Sequence, residues 1–163
     1  METCVGGEVP MSKGNKLTKN QSPKSDVEKV EMESKPYAKF VGSLMYAQVC
    51  TRPDLSFAVG ILSRYQSNPG HEHWVVGKKV LRYLQRTKGH MLVYKQAKEL
   101  KLVGYTDLDC AGNYPSSKKS TYGYVFVLVG GVVAWKTMKQ ILITTSTMQA
   151  EFIAVYEGMC ETL

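Results

Sequence analysis

The chain has 163 residues, enough for one ordinary domain or two small ones, and 44% of them are hydrophobic, which excludes a disordered polymer. No apolar run approaches the roughly 20 residues of a membrane span, and METCVGGEVP lacks a basic segment followed by an apolar one, so an intracellular protein, cytoplasmic or nuclear and without a membrane partner, is expected. The 21 Lys and Arg against 14 Asp and Glu give a net charge of +7, which permits nucleic acid as a partner and equally suits a solubilising surface.

Residues 1–35 are polar, sparse in apolar side chains and interrupted by Pro10 and Pro23, which reads as an extended or disordered lead. A short helix within SDVEKVEMESKPY would end at Pro36. From Tyr37 the period becomes helical: Phe40, Val41, Leu44 and Met45 predict an amphipathic helix to about Cys50. TRPD then restarts the chain, with Thr51 suited to cap, Pro53 to the first turn and Asp54 to the positive helix end. Leu55, Val59, Leu62 and Tyr65 carry that helix to SNPG. A third helix is expected from about Glu72 to Thr87, with Val76, Val80, Leu81 and Leu84 as its apolar stripe and Gly89 beyond its end. Lys78, Arg82 and Arg86 recur every fourth residue on its other side, a row that could meet phosphates or form a solvated charged face.

After Gly89 the period becomes that of strands. HMLVY and LKLVGYTD flank the polar turn KQAKE. STYGYVFVLV and VVAWKTM flank Gly130–Gly131, a pair suited to the positive φ angles of a tight hairpin. YVFVLV is apolar on both faces, as a central strand is. Ser146 and Gln149 then form a capping-box pattern ahead of AEFIAVYEGM. The expected fold class is α+β: three helices over 36–89, then a short antiparallel sheet and a helix over 90–163. The 4 cysteines, Cys4, Cys50, Cys110 and Cys160, are too scattered for a zinc site.

Asp107 and Asp109, separated by one residue, share a strand face. Glu151, read in the first turn of the last helix, approaches Asp107 if that helix packs on the sheet. Carboxylates so gathered repel one another and are stable mainly when they share divalent cations. Mg²⁺ held by carboxylates and phosphate oxygens is the chemistry of phosphodiester cleavage. The plainer alternative makes Asp107 a turn residue and Glu151 a residue of the helix start.

YTDLDCAG, KKSTYGYVFVLVGG, VVAWKTMKQ and TSTMQAEFIAVYE, in that order, closely resemble the ribonuclease H domain of copia-type retrotransposon polyproteins. The upstream segment YAKFVGSLMYAQVCTRPDLSFAVGILSRYQSNPGHEHWVVGKKVLRYLQRTKG resembles the stretch joining the reverse transcriptase of such polyproteins to that domain, and VPMSKGNKL fits the same family. The resemblance implies a partial ribonuclease H-like sheet whose acids bind two Mg²⁺ ions and cleave RNA in an RNA–DNA hybrid. By position, Asp107 matches the family's first catalytic aspartate and Glu151 its catalytic glutamate. Asp109 matches a second acid outside the usual catalytic set, a weaker metal ligand. Lys118, Lys119 and Ser120 match a basic turn that could contact phosphate.

The departures from the family pattern are equally specific. The paired aspartates of the polymerase and the later ribonuclease H acids do not occur, Cys110 stands where the family commonly has a large aromatic, and Gln149 where it commonly has Glu. The resulting expectation is a piece of a retrotransposon polyprotein, inactive alone and associated with nucleic acid or with the rest of its parent. A working nuclease completed by another chain is a second reading. The third is a non-enzymatic interaction protein, a domesticated host factor or an effector. RYLQ, Arg82 to Gln85, is one residue from an Arg-x-Leu-Arg pattern and reads as a chance match inside a helix.

Overall fold

The computed structural model describes residues 7–12, 14–96, 99–109, 119–144 and 146–160. Cys4, Cys110, Lys118 and the side chain of Asp109 therefore lie outside the described residues. The chain divides into two compact units, Met1–Met91 and Leu92–Leu163.

Among its described residues the first unit holds four α-helices: α1 (Asp26–Glu33), α2 (Tyr37–Cys50), α3 (Ser56–Leu62) and α4 (His71–Arg86). Single 3₁₀ turns, Pro53–Leu55 and Ser63–Tyr65, flank α3, so the helix expected through Tyr65 is tightened at both ends. Val41, Leu44, Leu55, Val59, Ile61, Leu62, Val76 and Val80 are buried at 3% exposure or less. Each such side chain contributes about 1.5–3 kcal/mol relative to remaining exposed.

The lead is not wholly extended. Leu17 is 2% exposed and its carbonyl accepts the Tyr65 hydroxyl at 2.8 Å. α1 forms because Ser25 accepts the Glu28 N–H while the Glu28 carboxylate accepts the Ser25 N–H, a reciprocal cap that satisfies two otherwise orphaned donors.

Gly70 has no room for a side chain: a Cβ there would stand 1.7 Å from the Gln21 carbonyl oxygen. Its N–H donates to His73 Nδ1 at 2.8 Å. With Nδ1 accepting, the proton sits on Nε2, which faces the Thr18 carbonyl at 3.3 Å. The fully buried His73 ring stacks on Tyr65 with centroids 4.0 Å apart, so this one imidazole ties the start of α4 to the lead and to the end of the α3 segment. Burial holds its pKa below the ordinary value, against a smaller opposing effect of the Thr18 bond.

The TRPD segment works differently from its expected capping role. No side-chain cap is made at the Pro53 turn. Instead Arg52, 8% exposed, forks onto Asp54 at 3.0 and 2.7 Å and donates to the Thr87 hydroxyl at 2.6 Å. Tyr83 donates to the same Asp54 carboxylate at 2.7 Å. Burial pushes the Asp54 carboxyl up, but the hydrogen bonds and charge of Arg52 together with the Tyr83 bond outweigh it and leave the pKa lowered. Arg52 thus puts a cation at the carbonyl end of α4, where the helix dipole favours it.

The second unit is a three-stranded antiparallel sheet in the order β1 (Leu102–Asp109), β2 (Thr121–Leu128), β3 (Gly131–Lys139), followed by α5 (Thr147–Cys160). β2 is central, as its two-sided apolar pattern requires. Leu128 pairs with Gly131, so Val129 and Gly130, at φ 53° and 80°, form the turn, one residue before the expected Gly130–Gly131 pair. HMLVY does not form the strand its composition predicts. Met91 and Val93 are 76% and 56% exposed, and Tyr94 donates to the Val132 carbonyl at 2.8 Å. Ser146 accepts the Gln149 N–H at 3.2 Å, making the expected cap.

Candidate functional site

The sheet's two faces decide what the acids can do. Tyr122, Tyr124 and Phe126 of β2 are buried with Ala154 of α5, and Leu108 of β1 packs against them. A Cβ on Gly158 of α5 would stand 3.0 Å from Thr106 Cγ2. Thr106 and Leu108 therefore both turn towards α5. β1 pairs with β2 without interruption, Thr106 with Tyr124, Asp107 with Gly123 and Leu108 with Tyr122. Side chains alternate along an unbroken strand, so Asp107 turns to the opposite face, beside Gly123.

Glu151 lies on α5, exposed, and in the second turn, since the first turn from Thr147 carries no acid. The helix dipole favours a carboxylate within the first turn and falls off beyond it, so Glu151 gains little from it. The acid of α5 that reaches the sheet is Glu157, which accepts the Tyr122 hydroxyl at 2.9 Å. Its signal in the sequence is its place beside the buried helix positions 154 and 158, which spacing from Asp107 does not reveal.

Asp107 and Glu151 are thus not brought together. No group of three or more His, Cys, Asp or Glu gathers as a cation site among the described residues. Mg²⁺ needs several hard oxygen donors in octahedral array, and the described residues do not fit it.

The basic residues divide between the units. Lys78, Arg82 and Arg86 are exposed at steps of four along α4, on the side away from buried Val76 and Val80. Arg86 comes within 3.6 Å of Glu8, an exposed pair worth little. In the second unit Lys119 is half-buried. Ser120 is 4% exposed and its carbonyl accepts the Gln140 N–H at 2.8 Å, which leaves its side chain little surface to offer a phosphate. RYLQ lies within α4, as expected. No helix among the described residues is long and apolar enough to cross a membrane.

Over 149 residues, 91% of its length, the chain is 45% identical to the retrovirus-related Pol polyprotein from transposon TNT 1-94 of Nicotiana tabacum. It is 37% identical over 147 residues to the corresponding polyprotein from transposon RE2 of Arabidopsis thaliana. The chain belongs to the copia-type retrotransposon Pol family. It spans only about a tenth of those relatives, 11% and 10% of their lengths. This Pol-family chain is also 45% identical, over 130 residues, to the secreted RxLR effector protein 161 of Plasmopara viticola, and there the match covers 80% of the chain and 91% of the effector. No family model and no solved structure matches the chain.

Proposed function

We propose that the chain corresponds to the end of the reverse transcriptase and the first part of the ribonuclease H domain of a Pol polyprotein, and that it does not cleave nucleic acid alone. In this reading the sheet and α5 are the start of a ribonuclease H-like fold. The parent hydrolyses the RNA strand of RNA–DNA hybrids with two metal ions, and Asp107 and Glu151 occupy two of its acidic positions. The observation that carries the reading is the alternation of β1, which turns Asp107 away from the helix bearing Glu151. In-line phosphodiester cleavage requires both attacking and leaving oxygens to be stabilised. Two separated acids hold neither ion in place. The chain's contribution is to bind: Lys78, Arg82 and Arg86, with Lys119 in the second unit, supply charge for a nucleic-acid backbone. The test is Mg²⁺-dependent cleavage of a labelled RNA–DNA hybrid by purified residues 1–163. Robust cleavage abolished by Asp107→Asn would overturn the reading.

A second reading is favoured by a different observation. The effector-named relative is matched over 91% of its own length, so a protein of this extent also occurs as a separate chain. A non-enzymatic interaction role, as a host factor or effector, fits that match. A transcript carrying an intact polymerase frame continuous with this one would remove it.

A further inference from the structure

We propose that the outer face of α5 is a self-association surface that takes a second copy of this chain in antiparallel helix pairing. α5 buries Ala150, Ala154 and Gly158. Its other side presents Met148, Phe152, Val155 and Met159, at 76%, 72%, 46% and 64% exposure. The steps of four, three and four are those of the seam along which one helix packs on another. Leu142 and Ile143, 62% and 59% exposed, extend the stripe and form with Met148 and Phe152 an apolar groove of about 580 Å³. With Ile141 these side chains expose on the order of 800 Å², the area one partner buries in a standard interface and more than a monomer's largest apolar patch usually shows.

The order of the side chains selects the occupant. A two-fold axis between Ile153 and Ala154 sets Met148 against Met159 and Phe152 against Val155 of the other copy, pairing each apolar side chain with another. The same axis sets Glu151 against Tyr156, and Glu157 is held towards the sheet by Tyr122, so no two acids meet across the seam. Antiparallel helices also place opposite dipole ends together. α5 contains no Lys or Arg, and an acidic peptide or an anionic lipid surface would find no cation there. The inference is independent of whether the chain meets nucleic acid.

The test is the mass of the full chain in solution across micromolar concentrations, by sedimentation velocity and by light scattering on a sizing column. The expected result is a concentration-dependent dimer whose dissociation constant rises at least about tenfold in Phe152→Glu. Val49→Glu, at an exposed position of α2, should leave it unchanged. The pairing also dictates a rescue: Phe152→Glu mixed with Val155→Lys should form a heterodimer, because carboxylate and ammonium then face one another. Circular dichroism matching the wild type keeps loss of fold apart from loss of contact, and the rescue by mixing shows that both variants are folded. A monomer at every concentration would overturn the proposal. So would a dimer that survives Phe152→Glu, one that Val49→Glu abolishes, or a monomer that binds uncharged lipid vesicles through this face.

Discussion

Val129 is a β-branched residue held at φ 53° in the β2–β3 turn. The left-handed region costs an L-residue about 1–2 kcal/mol, and Asn relieves part of that cost. Val129→Asn, placing Asn-Gly in a two-residue hairpin, should raise stability by about 1 kcal/mol. An unchanged urea midpoint would count against strain at this turn. His73 offers a second reading at this scale, and here pH is the variable. Its folded pKa lies below the ordinary 6.5 because burial disfavours the imidazolium. The unfolded chain then binds the proton more readily. Stability from His73 is accordingly complete above pH about 6.5, falls as pH drops below it, and stops falling once the folded pKa is passed. Urea midpoints at stepped pH between 7.5 and 5 should show this decline. His73→Gln should lower stability at neutral pH by losing the stacked ring, while flattening that slope; a slope unaltered in the variant would assign the decline to other groups.

At the scale of elements, the cluster of Arg52, Asp54, Tyr83 and Thr87 joins the turn before α3 to the end of α4. Arg52 is buried while Asp54 is exposed, so the arginine carries the packing and hydrogen bonds of the cluster and water screens the Asp54 charge. Arg52→Met, which removes the donor to both Asp54 and Thr87, should therefore cost about 1–2 kcal/mol, and more than Asp54→Asn, which keeps a hydrogen-bond acceptor for Arg52 and Tyr83. Equal losses in thermal unfolding would show that the charge of Asp54, rather than its geometry, matters. Thr87 and Tyr83 are distant in sequence from Arg52 and Asp54, so no local pattern specifies this cluster. α2 and α4 are legible from an apolar period of about 3.6, β2 and β3 from apolar runs flanking the glycine turn, and α5 from the Ser146–Gln149 capping pattern. TRPD reads as a local cap because local rules know nothing of Thr87, 35 residues from Arg52. HMLVY has strand composition but no partner that its composition specifies. At the candidate site the residue types were legible, but face was not. Whether Asp107 or Thr106 meets α5 depends on register, and a one-residue slip exchanges the two. The place of Glu157 depends on which side of α5 meets Tyr122, a fact of packing between elements distant in sequence.

For the whole molecule the governing quantity is the net charge of +7, since the proposed role is binding without cleavage. A basic chain on a polyanion displaces condensed cations, and the logarithm of affinity falls linearly with the logarithm of salt concentration. The slope counts the phosphates neutralised, about 0.9 per contact on duplex DNA. Diffuse attraction by surface charge and a specific row of contacts both weaken with salt, but they respond differently to substitution. Lys78, Arg82 and Arg86 rise along α4 at steps of four, on one exposed side, which allows them to track a single backbone. Replacing all three by Gln should reduce the slope by about two to three units if each meets a phosphate. Lys24, Lys29 and Lys35 lie in or beside α1; replacing them removes the same charge from elsewhere and should change the slope by less than about one unit. Fluorescence anisotropy with a labelled hybrid at several salt concentrations gives both slopes. If the two triple variants shift the slope equally, the α4 row is not a binding site and the attraction belongs to the charge of the chain at large. If neither binds less tightly than the wild type at low salt, the basic balance serves solubility alone.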